Sequence, residues 1–206
     1  LESGIGSPLD EAILRAHAPD PGSVRKLAEI PFDFIRRRVS VVVQSKDGIR
    51  LVTKGAFPHI LGICTRLADR SPMDDLEKAR LAQRYQEWSA QGFRVLAVAV
   101  RSLDPQAAYG RTHESDLTFA GFLTFTDHPK PEVRSALADL AALGVATKII
   151  TGDGKLVAQH VARLVGLDAT RVLTGSDLQS LSEAALVQAA GRTQLFVEVD
   201  PNQKER

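Results

Sequence analysis

A change of hydrophobic rhythm near Ser115 constrains the fold of this chain more than any single motif does. Before it, Val39-Ser40-Val41-Val42-Val43 and Ile49-Arg50-Leu51-Val52 are β-rich runs parted by Ser45-Lys46-Asp47-Gly48, a hairpin signal. Ser7 caps and Pro8 opens a helix with an apolar stripe of Leu9, Ala12, Ile13, Leu14 and Ala16, and Pro19, Pro21 and Gly22 mark a loop. Ala56 to Leu67 and Asp75 to Ser89 read as helices, the second followed by Gly92, and Arg94 to Val100 as a strand. The expectation is an antiparallel sheet with helices packed on it.

After the polar stretch Ser102 to Ser115, strands and helices alternate. Strands are predicted at Leu117–Phe125, Val145–Ile150, Arg171–Leu173 and Gln194–Val199, with helices at Pro131–Leu143, Lys155–Val165 and Ser182–Ala190. That order implies parallel β-α-β units. The predicted fold class is α/β with an α+β first half, divided into residues 1–115 and 116–206.

With 26 Lys and Arg against 25 Asp and Glu, nothing in the charge balance points to nucleic acid or an anionic membrane. The single cysteine, Cys64, sits in an apolar stretch and reads as a small core residue, compatible with a reducing cytosol. No apolar run reaches the roughly 18–20 residues of a membrane span, and Leu1-Glu2-Ser3-Gly4 lacks signal-peptide character, so a soluble chain is expected.

Three segments carry candidate chemistry. Glu29 to Arg38 sets Phe32 and Phe34 around Asp33, just before Arg36-Arg37-Arg38. An aromatic face beside cations suits a purine nucleotide, although a core Phe entering an edge strand is the plainer physical reading. Thr53-Lys54-Gly55-Ala56 brings an ammonium to a strand end and helix start, a place for an anion, without P-loop spacing. Thr151-Gly152-Asp153-Gly154 follows an apolar strand at the edge where open α/β sheets hold ligands, and a plain tight turn fits it equally. Asp127, in Asp127-His128-Pro129-Lys130-Pro131, either reaches that edge or caps the next helix.

Taken in order, these segments resemble the P-type ATPases, most closely the bacterial magnesium-transporting branch. The likeness runs from Ser7–Leu14 through Glu29–Val43, Val52–Leu61, Gly92–Ala99, Phe119–Lys130 and Lys148–Asp153 to Phe196 with Pro201–Lys204. It implies an ATP-binding N-domain followed by part of a HAD-like, Rossmann-type phosphorylation domain. Phe32 is then expected to stack on adenine, with Arg37 and Lys54 near the phosphates and purine edge and Asp10 at the rim near the base. Arg94 is expected to contact phosphates, Gly55 to allow close approach of the nucleotide, and Leu96 to line the pocket. Thr151, Gly152, Asp153 and Lys204 are expected around the transferred phosphoryl group, which needs positioning and charge compensation above all.

The implied cofactors are ATP and Mg²⁺. The implied partners are the actuator, phosphorylation and transmembrane parts of a parent pump at the cytoplasmic face of the cell membrane. The family's phosphorylated Asp-Lys-Thr-Gly-Thr does not occur in these residues, and Gly152-Asp153-Gly154 matches the phosphate-edge loop, not the family's downstream Gly-Asp-Gly magnesium loop, which is expected to be absent. The chain is therefore expected to bind nucleotide without forming an aspartyl-phosphate itself, and its second half, short of strands, to be the less stable. Glu198 stands where the family usually has Arg, Gly154 where many relatives have Asn, and His128 where they have Pro. A free-standing HAD-like phosphohydrolase and a non-catalytic interaction domain are the competing readings.

Overall fold

The computed structural model describes residues 8–17 and 22–205, so Ser7, Pro19 and Pro21 lie outside the described residues. The chain divides into two compact units: residues up to Ala82 with Val95–Phe125, and Gln83–Arg94 with Thr126 onward.

The first unit opens with helix α1 (Pro8–Ala16) and then strands β1 (Arg25–Asp33), β2 (Arg38–Ser45) and β3 (Gly48–Ala56). Helix α2 (Phe57–Leu61), strand β4 (Cys64–Leu67), helix α3 (Asp75–Ala90, of which residues from Gln83 on fall in the second unit), strand β5 (Arg94–Leu103, in the first unit from Val95) and strand β6 (Leu117–Phe125) follow. The strands form one sheet in the order β1-β2-β3-β5-β6-β4. β2 and β3 pair antiparallel from Arg38↔Gly55 to Ser45↔Gly48, which is the expected hairpin. Every second residue of β3, and of β5 as far as Ala99, is buried, so Leu51, Thr53, Ala97 and Ala99 look into the core while Lys54 and Leu96 lie on the other face.

Three elements depart from the sequence reading. β1 is not among the expected strands; it is an edge strand, where Pro31 is tolerated, and its register slips between Ile30 and Asp33, around the proline. The helix expected over Ala56–Leu67 stops at Leu61, where Gly62 caps it, and the chain turns into β4, which runs parallel to β6. β6 itself joins the first sheet, so the parallel sheet of the molecule starts after Phe125. Phe57, Phe119 and Phe122 meet there, with ring centroids 5.1–6.5 Å apart.

The second unit contains helix α4 (Val133–Ala142), strand β7 (Ile149–Ile150), helix α5 (Lys155–Leu164) and strand β8 (Val172–Thr174). Helices α6 (Gly175–Ser180) and α7 (Glu183–Arg192) and strand β9 (Leu195–Val197) complete it. The strands are parallel in the order β7-β9-β8. β9 is central and buried on both faces. Leu195 and Val197 pack with Ala158 and Ala162 of α5, while Phe196 packs with Leu178 and Val199. A strand covered on both sides reads as continuous Leu-Phe-Val rather than as an alternation. α6 was missed from sequence; Thr174 caps it in a reciprocal pair with Asp177. α4 buries none of its residues, and Leu143 nearby is 79% exposed. Asp127 does not cap α4, whose N-cap is Glu132.

Lys148 illustrates how the second unit is tied together. Its ammonium donates to the carbonyls of Ala190 (2.5 Å) and Thr193 (2.8 Å), closing the C-terminal end of α7. A cation there also meets the negative end of the helix dipole. Lys148→Met is expected to destabilise the second unit by about 1 kcal/mol, the scale of a charged cap at an open site. Chemical denaturation read through α7 amides checks this, and an unchanged midpoint would show that water replaces the lysine without loss.

Candidate functional site

The residues singled out from sequence fall into two groups, one in each unit. In the first, they collect at one end of the sheet: the end of β1, the start of β2, the end of β3 and the start of β5. Lys54 and Leu96 lie on one face of it, with Leu96 opposite Ala56 and Lys54 opposite Val98. The Lys54 ammonium forms an ion pair with Asp10 of α1. Both side chains are half-buried, so the pair fastens α1 to the sheet and is not a bare surface contact.

Phe32 is 48% exposed and meets Phe34 edge-on, with centroids 5.3 Å apart. The turn beyond it is wound around Asp33. Its Oδ1 accepts the backbone N–H groups of Ile35 (3.0 Å) and Arg36 (2.6 Å), and its carbonyl accepts that of Arg37 (2.8 Å). The Arg36 backbone bond and the Arg36 guanidinium hold the Asp33 carboxyl below its ordinary range. Arg37 takes the left-handed conformation, φ 49°.

The three arginines part company here. Arg36 and Arg38 turn to the buried Glu114, which follows a short 3₁₀ turn (Arg111–His113). Arg37 forms no ion pair among the described residues. Gly55 sits directly opposite Arg38 in the ladder, and a Cβ there would stand 2.5 Å from the Arg37 carbonyl oxygen and 2.6 Å from the Arg38 Cβ. Its lack of a side chain thus admits the Arg37–Arg38 backbone. His59 of α2 is a neighbour that sequence reading missed. Burial first, then the charges of Arg37 and Arg38, push its pKa down, so its imidazole is neutral at pH 7.

In the second unit, Thr151, Gly152 and Asp153 form the loop from β7 to α5. The Thr151 hydroxyl donates to Asp153 Oδ2 (3.1 Å) and accepts the Asp153 N–H (3.1 Å). Thr151 N–H donates to the Phe196 carbonyl (2.9 Å) and Glu198 N–H to the Asp153 carbonyl (3.0 Å), so the loop is laced to the end of β9. Arg94, the first residue of β5, falls in this unit, and its guanidinium donates to Asp153 Oδ1 at 2.5 Å. Glu198, at φ 57°, accepts the Lys155 N–H at the start of α5 (3.3 Å). Lys204 is exposed in a 3₁₀ turn and makes no ion pair with Asp153 among the described residues.

Cys64 is buried, and desolvation pushes its thiol up to about 12, which leaves it inert as a nucleophile, as expected from sequence. Among the described residues no cluster of three His, Cys, Asp or Glu is arranged to hold a metal ion, and no helix is long and apolar enough to cross a membrane.

Comparison with known proteins extends this geometry. Residues 8–132 match the family model for the P-type ATPase cytoplasmic domain N. The whole chain is 42% identical to a magnesium-transporting ATPase, P-type 1, of Salmonella typhimurium LT2, and 41% identical to the protein of that name in Escherichia coli K12. In each case it spans 24% of the relative's length. A calcium-transporting ATPase 1 of Bacillus cereus is 26% identical over 87% of the chain and 21% of its own length.

Proposed function

This chain belongs to the P-type ATPase family, and we propose that its first unit is the adenine-nucleotide site of an ATP-driven cation pump, with magnesium the transported ion. The observation that carries the reading is the gathering of the Asp10–Lys54 pair, Arg37 and the exposed Phe32 at one end of a single sheet. These groups fit a purine triphosphate. Phe32 offers a ring face for adenine, Lys54 and Arg37 offer cations for phosphate oxygens, and Asp10 accepts from the purine amino edge. Leu96 supplies an apolar wall, and Gly55 lets the Arg37–Arg38 backbone close on β3, which sets where Arg37 stands. Bound Mg²⁺ supplies charge neutralisation on the triphosphate.

On the same reading residues 1–115 are the nucleotide-binding domain. Residues 116–206 are part of a HAD-like phosphorylation domain linked to the first sheet through β6. There Thr151, Gly152, Asp153 and Lys204 surround a phosphoryl group, with Lys204 offsetting its charge, while Arg94 contacts the nucleotide phosphates. The parent pump would provide the aspartate that becomes phosphorylated, together with the actuator and transmembrane parts, and would hold this chain at the cytoplasmic face of the cell membrane. A free-standing phosphohydrolase is not favoured, since the relatives are named as transport ATPases.

Titration of the chain with ATP, ADP and AMP, by calorimetry or NMR, tests the proposal. Saturable binding is expected, weakened about 10- to 100-fold by Phe32→Ala, the scale of one base–aromatic stack. Lys54→Ala is expected to weaken ATP more than AMP, because it removes a charge that meets phosphate. Absence of binding up to millimolar nucleotide, or binding indifferent to both changes, would overturn the assignment.

A further inference from the structure

Glu114 has no place in the nucleotide set, yet it is 4% exposed and surrounded by donors. Arg36 donates to both of its oxygens through one nitrogen, at 2.7 and 2.6 Å. Arg38 Nε donates to Oε2 at 3.1 Å, and the Ser40 hydroxyl to Oε1 at 2.7 Å. Ser40 in turn shares a hydrogen bond with Thr53 across the β2–β3 ladder (2.8 Å). A carboxylate taken out of water survives only when so many donors replace its hydration.

The Arg36 side chain passes this anchorage on. Its other terminal nitrogen donates to the Pro31 carbonyl at 2.7 Å, and its Nε pairs with Asp33 Oδ2. Pro31 and Asp33 are the two neighbours of Phe32. One guanidinium thus holds the chain on both sides of the ring, and Glu114 holds the guanidinium. Arg38, bound to the same carboxylate, fixes the far end of the turn. Between the two held arginines, Arg37 is the member of the run left to meet a ligand.

We infer that Glu114 is a positioning residue for nucleotide binding: through Arg36 it sets the Phe32 ring, and through Arg36 and Arg38 together it presents Arg37. This rests on the nucleotide reading above. The carboxylate touches no substrate. It determines which of three adjacent arginines is committed to the protein and which to the ligand.

The test is Glu114→Gln, with Glu114→Asp as the conservative control, read by nucleotide titration and by hydrogen exchange of backbone amides. The amide of Gln still accepts, but its NH₂ faces guanidinium donors, so Arg36 loosens while the space stays filled. The expected result is ATP and AMP affinity lowered about tenfold, the scale of one charge-assisted hydrogen bond. Exchange should quicken at Ile35, Arg36 and Arg37 while β3 and β5 keep their protection, and Glu114→Asp should recover part of both effects. Unchanged affinity in Glu114→Gln, with Phe32→Ala still disruptive, would overturn the inference. So would a loss of affinity that tracks a general loss of protection across the sheet. If the unaltered chain binds no nucleotide, the functional reading fails on its own account. Exchange at residues 35–37 then decides whether Glu114 sets the turn at all.

Discussion

Replacing Glu114 with alanine is expected to cost the first unit about 3–5 kcal/mol, the penalty for breaking a buried ion pair from one side. The side chains of Arg36 and Arg38 are 13% and 14% exposed, and that of Glu114 is 1% exposed. Alanine takes the paired carboxylate from Arg38, leaves the poorly hydrated Arg36 guanidinium with Asp33 as its remaining carboxylate, and removes the Glu114 acceptor from the Ser40 hydroxyl. Few single changes outside a large apolar core side chain do more. The effect also carries a pH signature. Burial acts to raise the Glu114 pKa, but hydrogen bonds from Arg36, Ser40 and Arg38 and the charge of Arg38 outweigh it, and the net shift is downward. A lowered folded-state pKa means the stabilisation is fully present above the ordinary glutamate value. It is lost as pH falls through the lowered one. The stability gap between the unaltered protein and Glu114→Ala should therefore be flat near neutrality and shrink in acid. Denaturant titrations read through β2 and β3 measure it, and a gap below about 1 kcal/mol at neutral pH would mean that water substitutes for the carboxylate.

Gly55→Ala is expected to destabilise the same unit by about 1–3 kcal/mol, the usual toll of forcing a methyl into a packed place. The Cβ would lie 2.5 Å from a backbone oxygen and 2.8 Å from the Arg38 Cα, so relief requires moving main chain, not swinging a side chain. That main chain belongs to a ladder paired without a break from Arg38↔Gly55 to Ser45↔Gly48, which resists the shift. The displaced atoms are those of Arg37 and Arg38, hence nucleotide affinity should fall alongside stability. Denaturation and ATP titration of one variant give both numbers. A neutral alanine would show that the turn is softer than its hydrogen bonds suggest.

Both predictions concern residues whose importance is unevenly visible in the sequence. Phe32, Lys54 and Gly55 stood out from their immediate surroundings: an aromatic beside cations, an ammonium at a strand end, a glycine before a helix. The hairpin of β2 and β3 and the helices α3, α5 and α7 were likewise legible, because periodicity, turn residues and caps act over a few positions. β1 was not among them, and Pro31 within it is tolerable because the strand lies at a sheet edge. The helix expected through Leu67 was cut short because β4 had a partner in β6, some fifty residues further on.

Glu114 gave no local signal at all. It lies in a polar stretch among His113, Ser115 and Asp116, where a carboxylate ordinarily faces water. Its partners Arg36 and Arg38 are 78 and 76 residues away. The pairing of Arg94 with Asp153 spans 59. Local periodicity, turn residues and caps make most of the strands and helices legible, and the ordered motifs carry the resemblance to the family, since both depend on neighbours in sequence. Which arginine of three faces outward, and which acid holds the other two, is decided only when the sheet closes and burial makes an unpaired charge too costly to keep.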